Sequence, residues 1–210
     1  MKARCDNVFD CSDGSDEGFC EPLIIDKKKY RKPFPPFTGS NKTIINITID
    51  INGIRDIDEL AMTFTAEVKV FLRWRDQRLT YRNLAQRKNI LSKVWSDQIW
   101  LPPLYFSNTK DYIEILSRWY QVAIISHGQP LLNKISELNK ANIFKGKEND
   151  LELHSENELT FKCNFEMWRY PFDVQQCSVD VKIPSRLRDY NILNPTKEIT
   201  YTGILNLILY

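Results

Sequence analysis

The sequence lacks a long apolar run. None of its 210 residues belongs to a stretch that approaches the about eighteen apolar residues of a membrane-spanning helix. The closest candidate, residues 204–210, has the length of a strand. An apolar signal core is also missing, because the chain starts Met1-Lys2-Ala3-Arg4-Cys5. We therefore expect the sequence to begin inside a longer precursor.

An excess of charge of one sign is missing too. The sequence holds 29 Lys and Arg against 27 Asp and Glu, interspersed, and its net charge of +2 excludes the electrostatic footprint of a nucleic-acid-binding protein. The two histidines, His127 and His154, are isolated from the cysteines and from each other, which argues against a metal site. No nucleophile, base and orienting residue form a recognisable set, and nothing selects a carboxylate pair for a glycosidase. We predict that the chain is not an enzyme.

The sequence is rich in segments that alternate apolar and polar residues. With 42% apolar residues in 210, the chain is long enough for one sandwich and an appendage. From Leu60 to Trp74 the even positions are apolar and the odd ones mostly polar, which predicts a long strand with one buried face. Those apolar positions are Leu60, Met62, Phe64, Ala66, Val68, Val70, Leu72 and Trp74.

A second alternating segment carries a glycosylation sequon. Isoleucines at 45, 47, 49 and 51 share one predicted strand face, which places Asn46 of Asn46-Ile47-Thr48 on the solvent face. A further sequon begins at Asn41. The sequons and the cysteine spacing predict an extracellular protein, glycosylated at Asn41 and Asn46.

Cys163 and Cys177 enclose thirteen residues with a proline-containing turn near the end. Alternating segments, 159–162 and 178–181, flank them and predict strands on both sides. The arrangement describes a closed hairpin, and a disulfide there would remove about 3 kcal/mol of loop entropy from the unfolded chain. A chance structural disulfide in a secreted sandwich is the alternative.

These cysteines, with Tyr170-Pro171-Phe172-Asp173-Val174-Gln175 between them, resemble the Cys-loop of pentameric ligand-gated ion channels. Trp74-Arg75-Asp76-Gln77-Arg78-Leu79 resembles the Trp-x-Asp-x-Arg-Leu segment of the same family, in the right order. A generic interpretation makes Trp74 a core residue and Asp76 with Arg78 a surface pair of little energetic value. Residues 99–108 resemble the Trp-x-Pro-Asp segment, except that Pro103 stands where the family usually has Asp. The resemblance covers about residue 26 to the C-terminus.

The resemblance implies an all-β fold, a twisted antiparallel β-sandwich of about eight to ten strands over residues 41–210. It implies a ligand-gated channel subunit on the extracellular side of the cell membrane, truncated before its last strand and its transmembrane helices. Five such domains, in a homo- or hetero-pentamer, would bind a small ligand between neighbours. A coupling tip of Tyr170, Pro171, Phe172 and Asp173 would bear on the membrane domain. The alternative is a secreted, pore-less protein such as the soluble acetylcholine-binding proteins.

The ligand class is argued from two candidate ligand-binding residues. Lys69 stands five residues before Trp74, where many family members carry an aromatic ring, and Tyr105 matches an aromatic position of some members. No aromatic cluster follows Cys177 between residues 178 and 186. Because a lysine ammonium would repel a cation and offers no π face, we expect an anionic, zwitterionic or non-classical ligand rather than acetylcholine.

The N-terminus is acidic. Five acidic side chains fall within twelve residues, and they would repel one another unless a cation were bound: Asp6, Asp10, Asp13, Asp16 and Glu17. Hard oxygen ligands at this density suit Ca²⁺. The alternative is a solvated acidic linker.

With Cys5, Cys11 and Cys20, residues 1–21 resemble the C-terminal half of a low-density-lipoprotein-receptor class A module. The resemblance implies a Cys5–Cys20 disulfide and leaves Cys11 without a partner. The Ca²⁺ ligands that it implies are the side chains of Asp6, Asp10, Asp16 and Glu17 and the carbonyls of Ala3 and Val8, with Asp13 capping a turn. We expect the half-module to bind calcium poorly.

Two segments carry weaker signals. Residues 22–40 combine a basic run, 27–32, with the prolines of 33–36. The prolines predict an extended or turning linker. For the basic run, a solvated linker is favoured over a patch that binds anionic lipid or heparin. In a generic sandwich, residues 109–149 would form one or two strands and a long excursion. They are longer than the corresponding connection in related domains, so we predict a surface insertion, with approximate helical spacing from Leu131 to Leu138.

Overall fold

The structure is a computed structural model that describes residues 22–36, 42–86, 88–111, 113–117, 119–131, 142–169, 175–196 and 205–209. These residues form thirteen strands, one short helix and three 3₁₀ turns. The strands are β1 Leu23–Ile24, β2 Thr43–Asp58, β3 Thr63–Trp74, β4 Thr80–Arg82, β5 Lys88–Leu91, β6 Tyr105–Phe106, β7 Ile113–Glu114, β8 Tyr120–Ile125, β9 Ile143–Lys145, β10 Asp150–Lys162, β11 Cys177–Lys182, β12 Asn191–Pro195 and β13 Leu205–Leu209. Helix α1 spans Lys93–Ser96, and the 3₁₀ turns span Ile115–Ser117, Met167–Arg169 and Ser185–Leu187. No helix in the described ranges has the length and hydrophobicity of a membrane span.

The predicted all-β sandwich is confirmed. A six-stranded sheet has the order β12-β2-β3-β10-β8-β5, a four-stranded sheet has the order β13-β11-β6-β7, and a small sheet joins β1, β4 and β9. Within the six-stranded sheet, Phe161 of β10 stacks on Phe64 of β3 with centroids 5.4 Å apart. Phe106 of β6, in the four-stranded sheet, meets Phe161 edge-on at 5.6 Å. This contact places the core between the sheets.

Two edge pairings are parallel, although the sequence predicted antiparallel strands throughout. Strand β12 pairs parallel to β2, and β13 pairs parallel to β11. Only a tight turn between consecutive strands forces the antiparallel direction, and neither of these pairs is consecutive along the chain.

Strand β3 is shorter than the alternating pattern predicted. Its even positions from Phe64 to Trp74 are buried as expected, but Leu60 is fully exposed and Met62 is 40% exposed. The chain turns at residues 59–62, where Asp58 Oδ1 accepts hydrogen bonds from the amides of Leu60 and Ala61. The prediction of a buried face was therefore wrong for Leu60 and Met62, because alternation in sequence continues into a turn where no sheet lies opposite.

The region predicted as a surface insertion contributes a central part of the large sheet. Strand β8 pairs with β10 on one side and with β5 on the other. Val122, Ala123 and Ile124 are all buried. An unbroken apolar run suits a strand with sheet on both sides, so the surface prediction was wrong for this strand. Residues 132–138 of the predicted helical segment lie outside the described residues.

The segment predicted as a linker packs against the sandwich. Leu23 and Ile24 pair with Tyr81 and Thr80 of β4, and Leu23 is buried. Further along, the hydroxyl of Tyr30 accepts a hydrogen bond from the amide of Trp100 at 2.7 Å. Residues 22–36 are thus attached to the domain at both of these points.

Candidate functional site

The Trp74–Leu79 segment is organised around a buried carboxylate. Asp76 has no exposed surface, and the guanidinium of Arg78 donates to both of its oxygens, at 2.8 and 2.7 Å. The amide of Arg78 and the hydroxyl of Tyr30 donate to the same carboxylate. The interpretation of Asp76 and Arg78 as a surface pair was wrong, because this bidentate pair lies in the protein interior.

Tyr30 connects this carboxylate to the next motif. Burial raises the pKa of the Tyr30 phenol well above its ordinary value, and the charge of Asp76 raises it further. The phenol therefore stays protonated and donates to Asp76 while it accepts from the amide of Trp100. Trp100 in turn meets Trp74 edge-on, with centroids 6.3 Å apart. Sequence reasoning found both tryptophans but missed Tyr30, because nothing in its basic surroundings signals a buried phenol.

The predicted Cys163–Cys177 disulfide is confirmed, with the Cα atoms 5.4 Å apart. The side-chain amide of Gln175 closes the same loop, accepting from the amide of Glu166 at 2.9 Å and donating to its carbonyl at 3.1 Å. The predicted coupling tip, Tyr170 to Asp173, lies outside the described residues. The disulfide and the Gln175 hydrogen bonds thus join the two ends of the loop.

The β2–β3 turn lies beside this disulfide and exposes apolar side chains. The amide of Cys163 donates to the carbonyl of Met62 at 2.9 Å. Leu60 is fully exposed, Ile57 is 62% exposed, and Trp168 inside the disulfide loop is 73% exposed. Ile57 and Leu60 lie within four residues of each other, and exposed apolar residues this close together are typical of an interaction surface. Sequence reasoning missed this surface because it assigned Leu60 to a buried strand face.

Lys69 lies on the outer face of the six-stranded sheet, opposite Glu156 of β10. Its ammonium is 2.9 Å from the Glu156 carboxylate. The hydrogen bond between them raises the pKa of Lys69 and lowers the pKa of Glu156. The prediction that Lys69 repels a cationic ligand did not include this partner, because strand register places the acid directly across from it.

An aromatic group stands beside this ion pair. Phe71, two residues along from Lys69, stacks on His154 with centroids 4.5 Å apart and planes 1° from parallel. Trp119 meets His154 edge-on at 6.1 Å, and His154 Nε2 lies 3.3 Å from Glu156. The β3–β10 register pairs Phe71 with His154, and the β10–β8 pairing brings Trp119 beside them, so the sequence carried no signal for the group. The described residues contain no cluster of three or more potential metal ligands.

Tyr105 is positioned on the other large sheet. It begins β6, where its register partners are Lys182 of β11 and Glu114 of β7. The sheet order puts Lys69 in the six-stranded sheet and Tyr105 in the four-stranded sheet. One chain therefore presents its two predicted ligand-binding residues on separate sheets.

Asn46 lies on the predicted outer face of β2. It is partly exposed, while its neighbours Ile45 and Ile47 are buried, and its Oδ1 accepts a hydrogen bond from Asn194 of β12 at 2.7 Å. Asn41, the cysteines Cys5 and Cys20, and all six predicted calcium ligands lie outside the described residues. Glycosylation and calcium binding remain predictions.

Residues 23–186 match the family described as the neurotransmitter-gated ion-channel ligand binding domain. A gamma-aminobutyric acid receptor subunit beta-4 of Gallus gallus is 27% identical over 161 residues, which cover 76% of this chain and 29% of that protein. The chain thus corresponds to less than a third of the length of this curated relative.

Proposed function

The chain belongs to the family of neurotransmitter-gated ion-channel ligand-binding domains, and we propose that it serves an extracellular role in a channel subunit. In this role, ligand binding between neighbouring subunits of a homo- or hetero-pentamer opens a pore in the membrane. The observation that carries the proposal is the disulfide loop beside the exposed β2–β3 turn. A fastened loop and an apolar turn at one end of the sandwich form a suitable contact for a membrane domain.

The β3–β10 strand pair supports transmission along the domain. Its register is continuous from Trp74 opposite Leu151 to Thr63 opposite Lys162, and Lys69 with Glu156 lies between these ends. Cys163 follows β10 directly. A displacement at the Lys69 face has a continuous, hydrogen-bonded route to the disulfide loop through a packed element.

The ion pair on the Lys69 face favours a zwitterionic ligand among the classes that the sequence left open. Lys69 offers a donor for a carboxylate, and Glu156 offers an acceptor for an ammonium group. The Gallus gallus relative is named as a receptor subunit for gamma-aminobutyric acid, which carries both groups. We propose a small amino acid of this type as the ligand, with Tyr105 of the neighbouring subunit contributing a wall.

The test is voltage-clamp recording from cells that express the full-length subunit. Gamma-aminobutyric acid should evoke a current, and Lys69→Ala should raise its half-maximal concentration at least tenfold. Lys110→Ala, at an exposed lysine beside the Thr109–Phe161 bridge, is the matched control and should shift it less than twofold. Full-size currents evoked by acetylcholine and unchanged in the Lys69→Ala subunit would contradict the proposed ligand class.

Coupling is tested at Leu60. Its side chain is fully exposed, so Leu60→Ser should leave folding and equilibrium ligand binding unchanged. The maximal current should nevertheless fall, because the apolar contact with the membrane domain is lost. A maximal current equal to that of the wild type, at equal surface expression, would exclude this turn from coupling.

A further inference from the structure

A groove of about 530 Å³ opens at the Trp74 end of the six-stranded sheet. Its walls come from Pro36, the start of β2, the loop that follows β3 and the turn before β10. Neither Lys69 nor Tyr105 lines it, so it is separate from the proposed ligand-binding faces. Its volume falls within the range of small-molecule sites.

The charges around the groove are mainly positive. Among the described residues that line it, the cations Lys42, Arg75 and Lys147 stand against one carboxylate, Asp150. Asp150 is already engaged, because Arg75 donates to it and His127 Nε2 lies 3.2 Å from it. This imbalance attracts an anion.

The two lysines are weakly compensated. Lys42 Nζ donates to the carbonyl of Arg188 rather than to a carboxylate. Lys147 lies 3.7 Å from Glu148, and both side chains are largely solvated, which makes that pair weak. Both ammonium groups can therefore turn towards a ligand at little cost.

Two buried polar atoms belong to residues of the same wall. Trp74 Nε1 and Thr43 Oγ1 have almost no exposed surface, and neither finds a hydrogen-bond partner among the described residues. An indole N–H can only donate, so it requires an acceptor. Because protein atoms cover both of these atoms, a ligand in the groove would lie beside them rather than contact them.

The remaining wall is apolar. Ile44 is 55% exposed and lines the groove together with Pro36. A ligand that is complementary to both the cationic wall and the apolar wall has an apolar body and a negatively charged head group that accepts hydrogen bonds. We propose that this groove binds a small organic carboxylate, whose head group contacts Lys42 and Lys147 beside the Trp74 indole.

The purified chain tests this with benzoate as the probe and benzylamine as its cationic counterpart. Asn46 also lines the groove, so the protein is first treated with an endoglycosidase to remove any sugar at this position. The readout is the ¹⁵N–¹H resonance of the Trp74 indole, assigned with Trp74→Phe. The resonances of the other four tryptophans report on folding.

Benzoate should shift the Trp74 indole resonance to saturation, because Trp74 lines the groove, whereas benzylamine should not. Lys42→Glu combined with Lys147→Glu should raise the benzoate Kd at least fivefold, because exposed lysines can be replaced without unfolding the chain. Lys110→Glu, at the opposite end of β3, should change it less than twofold. Equal shifts with both probes, no saturable shift, or a smaller effect of the double variant would overturn the proposal.

Discussion

At Asp76 a fully buried carboxylate holds three parts of the chain together. It joins Arg78 of its own segment to Tyr30 of the N-terminal segment, and Arg78 also donates to the carbonyl of Phe34 at 2.9 Å. Gly146 lies against the same loop, where a β-carbon would approach the carbonyl oxygen of Asp76 to 2.1 Å. Only glycine fits this close approach, so the turn before β10 also depends on the position of Asp76.

Asp76→Ala is predicted to lower the free energy of unfolding by about 3 kcal/mol. The substitution leaves the half-buried Arg78 guanidinium without its counter-ion, and breaking such a pair costs far more than losing an exposed one. Urea denaturation of the purified chain measures the loss. Arg55→Ala is the control, because Arg55 pairs with Glu67 at 3.7 Å on the surface and should cost less than about 0.5 kcal/mol. Equal losses in the two variants would contradict the interior role of Asp76.

Glu152 is the most enclosed acid on the outer face of the large sheet, between Arg73 at 2.6 Å and Lys88 at 2.8 Å, and its side chain is 11% exposed. Burial opposes its charge, but the hydrogen bonds from Arg73 and Lys88 outweigh burial and lower the pKa of Glu152. Its contribution to stability is therefore present above the unfolded pKa of about 4.3 and is lost as the pH falls through the lower folded pKa.

Glu152→Gln is predicted to remove this acid-dependent stability. The difference in free energy of unfolding between wild type and variant should be largest at pH 7. It should shrink as the pH falls below the unfolded pKa and through the lower folded pKa of Glu152. Urea denaturation at a series of pH values provides the measurement. Glu158→Gln, at a carboxylate that is 55% exposed, should give a small difference at every pH. If the difference in free energy of unfolding for Glu152→Gln does not vary with pH, Arg73 and Lys88 do not stabilise the ionised Glu152 carboxylate.

The β3–β10 pair is the element that relates the two ends of the domain. Its inner residues, from Phe64 to Trp74 on β3, fill the core, while its outer residues, Lys69 and Phe71, face their partners Glu156 and His154. The disulfide fastens the chain just beyond the end of β10. The core residues, the Lys69 face and the disulfide loop are therefore connected through the β3–β10 strand pair.

Removal of the disulfide is predicted to lower the free energy of unfolding by about 3 kcal/mol, because the loop between Cys163 and Cys177 gains freedom in the unfolded chain. The variant is Cys163→Ala combined with Cys177→Ala, compared by urea denaturation with wild type. Cys11→Ala should leave this unfolding transition unchanged. Non-reducing peptide mapping should recover the Cys163–Cys177 peptide, and a Cys11–Cys163 peptide as the main species would contradict the assignment.

At the scale of the whole molecule, the chain combines a sandwich with an acidic N-terminal segment that resembles half of a calcium module. The sandwich has a closed core of its own, with the segment from residue 22 onward packed on it. We propose that calcium stabilises the N-terminal segment only when the upstream half of the module is present. The two parts would then fold and respond to calcium separately.

A chain extended upstream by three cysteines should bind calcium and form the Cys5–Cys20 bond in its presence. Asp16→Asn should abolish this calcium dependence, since it removes a charged ligand from a site held together by charge. Calorimetric titration and disulfide mapping after refolding provide the measurements. Asp13→Asn is the matched control, because Asp13 is predicted to cap a turn rather than to bind calcium. Unchanged calcium affinity in Asp16→Asn would indicate a solvated acidic segment.

Several features could be predicted because their signals are local in the sequence. Alternation placed Ile45, Ile47 and Ile49 inside and Asn46 outside, since a strand has a side-chain period of two. Cysteine spacing identified the closed loop. The same alternation failed at Leu60, where a turn replaces the strand, and loop length misassigned β8, whose burial depends on strands distant in sequence.

The sequence by itself determined the all-β class, the disulfide loop and the family, because period, spacing and short motifs are properties of neighbouring residues. Only the tertiary structure decided what each charged or exposed residue faces. The burial of Asp76 beneath Tyr30, the ion pair of Lys69 with Glu156 and the stacking of Phe71 on His154 each join residues at least forty-six positions apart. Strand register and sheet packing bring such residues together, and neither can be read from a single local segment.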